Sequence, residues 1–250
     1  MLESRPMKHR QLFFPLLVSS ILTAAQAIAP SASQIAAGDI GAVEITKEPH
    51  HHLALQNNYV WVFKLEVAPH QATLMHHHRH DCVFVTLGPA VFENDVAGKP
   101  PSTLKFQDGE TRFAPGGYAH IVENLSKQPF RNVTVELLQD QKAHPSPNWD
   151  EDRGLRILNG GTQDILFVKD AVRASELQLN PGGVVPKHHH AGPHLVVAVT
   201  DLNLRSAVEG KGASIIQLKA GDIAWVKGGF THTLTNLGKQ NARFITLEFQ

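Results

Sequence analysis

A single cysteine, Cys82, stands in a chain of 250 residues, so neither an internal disulfide framework nor a cysteine-rich zinc fold is available to it. Aromatic residues supply only 7% of the sequence and charged residues 18%. Neither sign of charge is in excess: 23 Lys and Arg balance 23 Asp and Glu. That excludes a nucleic-acid binder driven by phosphate contacts, which would carry a basic face. No apolar stretch after the N-terminal region is long enough to cross a bilayer. Hydrophobic residues nevertheless make up 42% of the chain, the composition of a folded protein with a core to bury. What the sequence has in excess is histidine, 16 in all, most of them in a few tight clusters.

The N-terminus reads as an address. Lys8, His9 and Arg10 precede an apolar stretch from Leu12 to Leu22, too short to span a membrane comfortably. Ala25-Gln26-Ala27 then places small residues at the two positions a signal peptidase reads. Residues 1–27 are expected to be a signal peptide cut after Ala27, because cutting after Ala29 would leave Pro30 first. Losing Arg5, Lys8, Arg10 and Glu3 leaves a mature chain with two more acidic than basic residues. That chain is expected in the periplasm or outside the cell, free of the membrane and without a nucleic-acid partner.

The remaining sequence repeats itself at one constant offset. His76, His77 and His78 fall on His188, His189 and His190, and His120 falls on His232. Gly109 meets Gly221, Gly117 meets Gly229, Asn124 meets Asn236, and Thr134-Val135-Glu136 meets Thr246-Leu247-Glu248. The register holds from Leu53–Leu138 to Ile165–Gln250 without an insertion or deletion. This is a duplicated domain. The expected organisation is an N-terminal domain over 28–142, a Pro- and charge-rich linker over 143–153, and a C-terminal domain over 154–250.

Each copy is a series of short β-rich runs, such as Val60–Val67, Cys82–Leu87, Leu195–Val199 and Phe244–Phe249, punctuated by Gly, Pro and Asn. No stretch of twelve residues carries a helical stripe. An all-β sandwich or barrel is expected in each half. On a strand, residues i and i+2 share a face, so His76 and His78 point one way and His77 the other, and likewise His188 and His190 against His189. A pair of imidazoles on one strand, with a third beyond a Gly-rich turn and the same spacing in both copies, is the donor set of a divalent transition metal. The run His50-His51-His52 precedes the repeat and is expected to be a solvated loop, with no counterpart near Gln163-Asp164.

At these residues the chain resembles the cupin family, and in particular its bicupins, in which two jelly-roll barrels follow one another. The family's second motif, Gly-x5-Pro-x-Gly-x2-His-x3-Asn, is matched by Gly109, Pro115, Gly117, His120 and Asn124. Its second occurrence keeps Gly221, Gly229, His232 and Asn236, with Lys227 in place of proline. The first motif, Gly-x5-His-x-His-x3,4-Glu-x6-Gly, departs in both copies: Cys82 and His194 stand where the family has glutamate.

The resemblance implies one divalent metal per barrel, among Fe, Cu, Mn, Zn and Ni. The first would be held by His76, His78, Cys82 and His120, the second by His188, His190, His194 and His232. A Cys82 thiolate would soften the first site, and a closed His3Cys tetrahedron would make it structural zinc. His80 is a candidate acid or base. Phe84, Val85, Phe113 and Val197 are candidates for a dry pocket wall. The resemblance implies an exported metal-dependent enzyme acting on a small organic molecule, either dioxygenase-like or a metal-assisted lyase or isomerase. Anionic oxygen donors and O2 are its expected partners, and homo-oligomers are compatible with the family. The alternative is a cupin that binds metal or a small molecule without chemistry.

Overall fold

The computed structural model describes residues 41–138, 154–169 and 171–250. The expected signal peptide, residues 1–27, and the linker, residues 143–153, lie outside the described residues. Among those described there is no α-helix, only one 3-10 turn at Ile45–Lys47, and no helix is long and apolar enough to cross a membrane. Everything else regular is β-strand.

The first half builds two five-stranded sheets. One contains β1 (Val43–Glu44), β4 (His76–His78), β6 (Ala90–Val96), β7 (Ser102–Phe106) and β9 (Tyr118–Asn124), in the order β1-β4-β9-β6-β7. The other contains β2 (His51–Gln56), β3 (Val60–Val67), β5 (Cys82–Thr86), β8 (Thr111–Ala114) and β10 (Phe130–Leu137), in the order β2-β3-β10-β5-β8. The chain thus passes repeatedly from one sheet to the other, which is the jelly-roll arrangement. Leu65, Val67, Phe92, Val122 and Phe130 pack between the sheets.

The second half repeats this in eight strands joined into one sheet. It contains β11 (Gly154–Lys169), β12 (Val172–His190), β13 (His194–Ala198), β14 (Leu202–Val208), β15 (Gly212–Leu218), β16 (Ile223–Val226), β17 (Phe230–Asn236) and β18 (Ala242–Phe249). The order is β15-β14-β17-β12-β18-β13-β16, with β11 on β12. β12 takes the places of β3 and β4 together. Its first part, Val172–Leu179, pairs with β18, and its last residues, beyond a bulge between Val185 and His188, pair with β17. One long strand therefore bends from one wall of the barrel into the other.

The two barrels share a hydrophobic core. Val60, Val62, Val83, Val85, Val133 and Val135 of the first cluster with Val172, Leu195, Val197, Ile245, Leu247 and Phe249 of the second, all buried. This explains why β5 reads as a nearly continuous apolar run, since both its faces are covered, whereas β10 alternates, turning Val133 and Val135 to the neighbour and Asn132, Thr134 and Glu136 to its own barrel. Two of the expected pocket residues, Val85 and Val197, belong to this shared core, and Phe113 packs against it. The pocket wall is corrected accordingly, because strand alternation turns Phe84 inward and its neighbours Val83 and Val85 outward.

Polar contacts reinforce the junction. Arg243 donates from Nη1 to Asp108 Oδ2 at 2.9 Å, from Nη2 to the Asp108 carbonyl at 2.6 Å, and from Nε to Glu176 at 2.7 Å. Gly109 permits this approach: a Cβ there would stand 2.2 Å from Arg243 Nη2, and its φ of +75° lies in the left-handed region that disfavours other residues.

Candidate metal centres

β4 and β9 lie side by side with His76 opposite His120, and β12 and β17 place His188 opposite His232. His78 and His190, two residues along, share the inward face of their strands. In the second barrel the three Nε2 atoms form a near-equilateral triangle: His188–His190 3.1 Å, His190–His232 3.2 Å and His188–His232 3.0 Å. In the first, His78 Nε2 lies 3.2 Å from His120 Nε2, and the His76 and His120 rings are 4.6 Å apart between centroids.

The opposite ring nitrogens are all engaged, by partners at matching positions in the two copies. His76 Nδ1 is 2.8 Å from the Leu74 carbonyl and His188 Nδ1 is 2.7 Å from the Pro186 carbonyl. His78 Nδ1 is 3.1 Å from Glu136, and His190 Nδ1 is 2.7 Å from Glu248. His120 Nδ1 meets Asn94 Oδ1 at 2.6 Å, and His232 Nδ1 meets Ser206 Oγ at 2.7 Å.

Carbonyls and ionised carboxylates only accept, so the Nδ1 atoms facing them carry the proton and their Nε2 atoms are bare lone pairs, while the Ser206 hydroxyl facing His232 Nδ1 can accept or donate. Burial holds the His76, His78 and His232 protonation equilibria down to about 3, assisted by mutual repulsion of the cluster, and burial likewise depresses His120 and His188. A proton is therefore a poor neutraliser of the facing lone pairs. His76 Nε2 is buried without any hydrogen-bond partner. The donor set fits a divalent metal: three donors about 2.1 Å from an ion and mutually at right angles lie about 3.0 Å apart.

Two carboxylates hold the central rings, in different electrostatic settings. Burial pushes Glu248 upward, but the His190 N–H and the Arg173 guanidinium outweigh it and hold the carboxyl at about 2. Glu136 has Trp61 where Glu248 has Arg173 as cross-strand partner, and burial pushes it up to about 7. Both glutamates stand in the repeated sequence. Their role is set by tertiary placement: β10 lies in the sheet opposite β4 and sends Glu136 across to His78, which the repeat alone does not disclose.

Cys82 and His194 do not join the convergent donors. Among the described residues, groups of donors mutually close enough to share an ion are His51, His76 and His78, and His188, His190 and His232; His120 is outside the first group and joins it through His78, Nε2 to Nε2 at 3.2 Å. The Cys82 thiol lies 3.6 Å from the Ala114 carbonyl and 3.8 Å from Tyr118 Oη, and burial pushes its pKa far up. His194 stacks on His190 with centroids 4.1 Å apart, and its Nδ1 is buried without a partner. His80 packs edge-on against Trp61 at 6.1 Å and is not among the residues lining the cavity. His189, expected to face away, is exposed and hydrogen-bonds Thr231 Oγ1 at 3.1 Å, whereas His77 is buried at 8% exposure.

The expected solvated loop is corrected. His51 begins β2, is only 7% exposed, and sits in the first cluster with its ring 4.7 Å from that of His76. It stands outside both motifs and has no histidine at the matching position, so no repeated pattern marks it.

A cavity of about 390 Å³ opens onto the first centre and one of about 380 Å³ onto the second, at the lower end of the range for sites that enclose a small organic molecule. The first is walled by Leu65, Phe84, Phe92, Leu104, Phe106 and Phe130, with Lys99 and Arg112 also lining it. The second has Leu177, Val196, Ile216 and Phe244 with Arg156 and Lys187.

No family model matches the sequence, and no curated protein matches it. Solved structures do match. A structure of Bacillus subtilis oxalate decarboxylase, studied for its Mn(II) centres, superposes with a TM-score of 0.58 at 12% identity, covering 82% of this chain and 76% of that one. A cupin 2 conserved barrel domain protein from Leptotrichia buccalis superposes with a TM-score of 0.51 at 11% identity, covering 80% and 88%. At these identities the likeness concerns the fold, two cupin barrels in one chain.

Proposed function

We propose that this bicupin-fold chain is an exported metal-dependent enzyme that acts on a small, largely apolar organic molecule bearing an anionic oxygen donor. The observation that carries the reading is the inward convergence of imidazole Nε2 atoms in both barrels, each ring fixed by a hydrogen bond behind it. His76, His78 and His120 would hold one divalent transition metal, and His188, His190 and His232 a second. Such an ion supplies Lewis-acid polarisation of a bound oxygen and, where it is redox-active, chemistry with O2.

The chain's own residues do the rest. Glu136 and Glu248 hold the imidazoles in the tautomer that presents Nε2. Neutral histidine ligands leave the full charge of the ion in a low-dielectric barrel, which favours an anionic donor over a neutral one. The aromatic wall of the first cavity excludes water, and Lys99 is suited to an acidic group, Arg112 being paired with Glu110. Such a wall favours a substrate with hydrocarbon surface over a compact dianion such as oxalate, the substrate named for the neighbouring fold. Export is supported by the basic, apolar and small-residue order of residues 8–27.

Elemental analysis of gently purified full-length protein should find close to two transition-metal ions per chain, and finding none would overturn the reading. Oxygen uptake over catechols, flavonols and β-dicarbonyls marks a dioxygenase, and turnover that persists without O2 marks a lyase or isomerase. Two bound metals with no turnover across such panels would overturn the enzymatic part and leave a binding protein. N-terminal sequencing of the exported protein should begin at Ile28.

A further inference from the structure

We propose that the first barrel holds its ion with four imidazoles, His51 being the fourth, while the second holds its ion with three, so that the two centres differ in affinity and in coordination. This rests on the reading of both barrels as metal centres and adds a donor that neither repeated motif contains.

His51 reaches the centre from β2, which belongs to the sheet opposite the one bearing His76, His78 and His120. Its Nδ1 lies 2.7 Å from Glu48 Oε2, which commits that nitrogen as a donor and leaves Nε2 as the free lone pair. Glu48 is built to do this. It is 2% exposed and also accepts the backbone N–H groups of His50 at 2.9 Å, His51 at 3.1 Å and Leu74 at 3.1 Å. Donor atoms of His51, His76 and His78 all lie within 4.8 Å of one another. Two donors on opposite sides of one ion lie about 4.2 Å apart at ordinary metal–nitrogen lengths, so the spread suits a shared ion with little adjustment.

The second barrel lacks this arrangement. His51 pairs with Leu65 across β2 and β3, and the matching pair across β11 and β12 is Gln163 with Leu177, each displaced by the offset that carries His76 onto His188. Gln163 lines the second cavity together with His188, His190 and His232, so an uncharged amide, a weaker donor than imidazole for these metals, stands in the corresponding strand register. The position matching Glu48 is Gly160. Its φ is +74° and a Cβ there would lie 3.0 Å from Gly183 Cα, so a carboxylate anchor at this position would require the backbone to move.

Cobalt(II), titrated into the metal-stripped full-length chain and followed by visible absorption and equilibrium dialysis, tests the inference. The wild type should bind two ions in steps at least about 10-fold apart in Kd and with distinct spectra. His51→Gln, which copies the second barrel, should weaken the tighter step by at least about 10-fold and shift its spectrum toward that of the other. Glu48→Gln keeps the ring and removes its anchor, and should act in the same direction should His51→Gln fail to fold. Wild-type affinity and spectrum at both steps in a folded variant would remove His51 from the ligand set and leave the two-centre reading standing. A wild type that binds no cobalt would overturn both.

Discussion

His190 and Glu248 meet at 2.7 Å, Nδ1 to carboxylate, and at the matching positions of the first copy His78 and Glu136 meet at 3.1 Å in the same relation. The glutamate expected beside the histidine pair in the first cupin motif is absent from both copies, yet a carboxylate from the last strand of each barrel grips the central ring from behind. Glu136→Gln and Glu248→Gln should each weaken metal binding at their own centre about 10- to 100-fold, read by competition with a chelator, and leave the other centre unchanged. Equal weakening at both centres would contradict the assignment.

Acid should destabilise the metal-free protein well before ordinary carboxylates titrate. His76, His78 and His232 sit near 3 and His194 near 4, against an ordinary 6.5. Between those values the unfolded chain binds protons that the folded one refuses, so stability present above pH 6.5 is lost as the pH falls. Glu48 and Glu248, both held near 2, extend the loss below 4.5. Glu136, raised to about 7, acts oppositely: its contribution is present below 4.5 and lost as the pH rises through 7. One such group opposes several histidines, so urea midpoints measured with chelator present should fall steadily from pH 7 to pH 4.5.

Leu195 is fully buried in the core shared by the two barrels. Leu195→Ala should cost about 2–5 kcal/mol, and the loss should appear in the unfolding of both halves. Calorimetry that shows one half shifted and the other untouched would argue against a common core.

The Cys82 thiol should resist modification in the native state. It is fully buried, beside the Ala114 carbonyl and the Tyr118 hydroxyl, and burial keeps it protonated; only the thiolate is reactive. A chromogenic disulfide should label it only after denaturant is added. Rapid labelling of folded protein would show an open, activated thiol instead.

The β-rich runs, the duplication and the six inward-facing histidines among the eight paired ones are legible in the sequence because each leaves a local, periodic trace. The offset that carries His76 onto His188 lines up β5 with β13, β6 with β14, β9 with β17 and β10 with β18 at both ends. His51 and the two glutamates are not legible as site residues. They reach the centres from strands whose position behind or across from β4 and β12 is set by tertiary folding, and alternation within a strand says which face a residue takes but not what lies opposite. The same limit applies to Val85, Phe113 and Val197, since an outward face covered by a second barrel has the composition of an inward one.

The valines that β3, β5 and β10 turn outward are dry only because β12, β13 and β18 lie over them. Either half on its own would expose to water the apolar sheet face that the other now covers. The two centres, one with Glu48 and His51 and one with Gly160 and Gln163, are therefore carried on one shared apolar core.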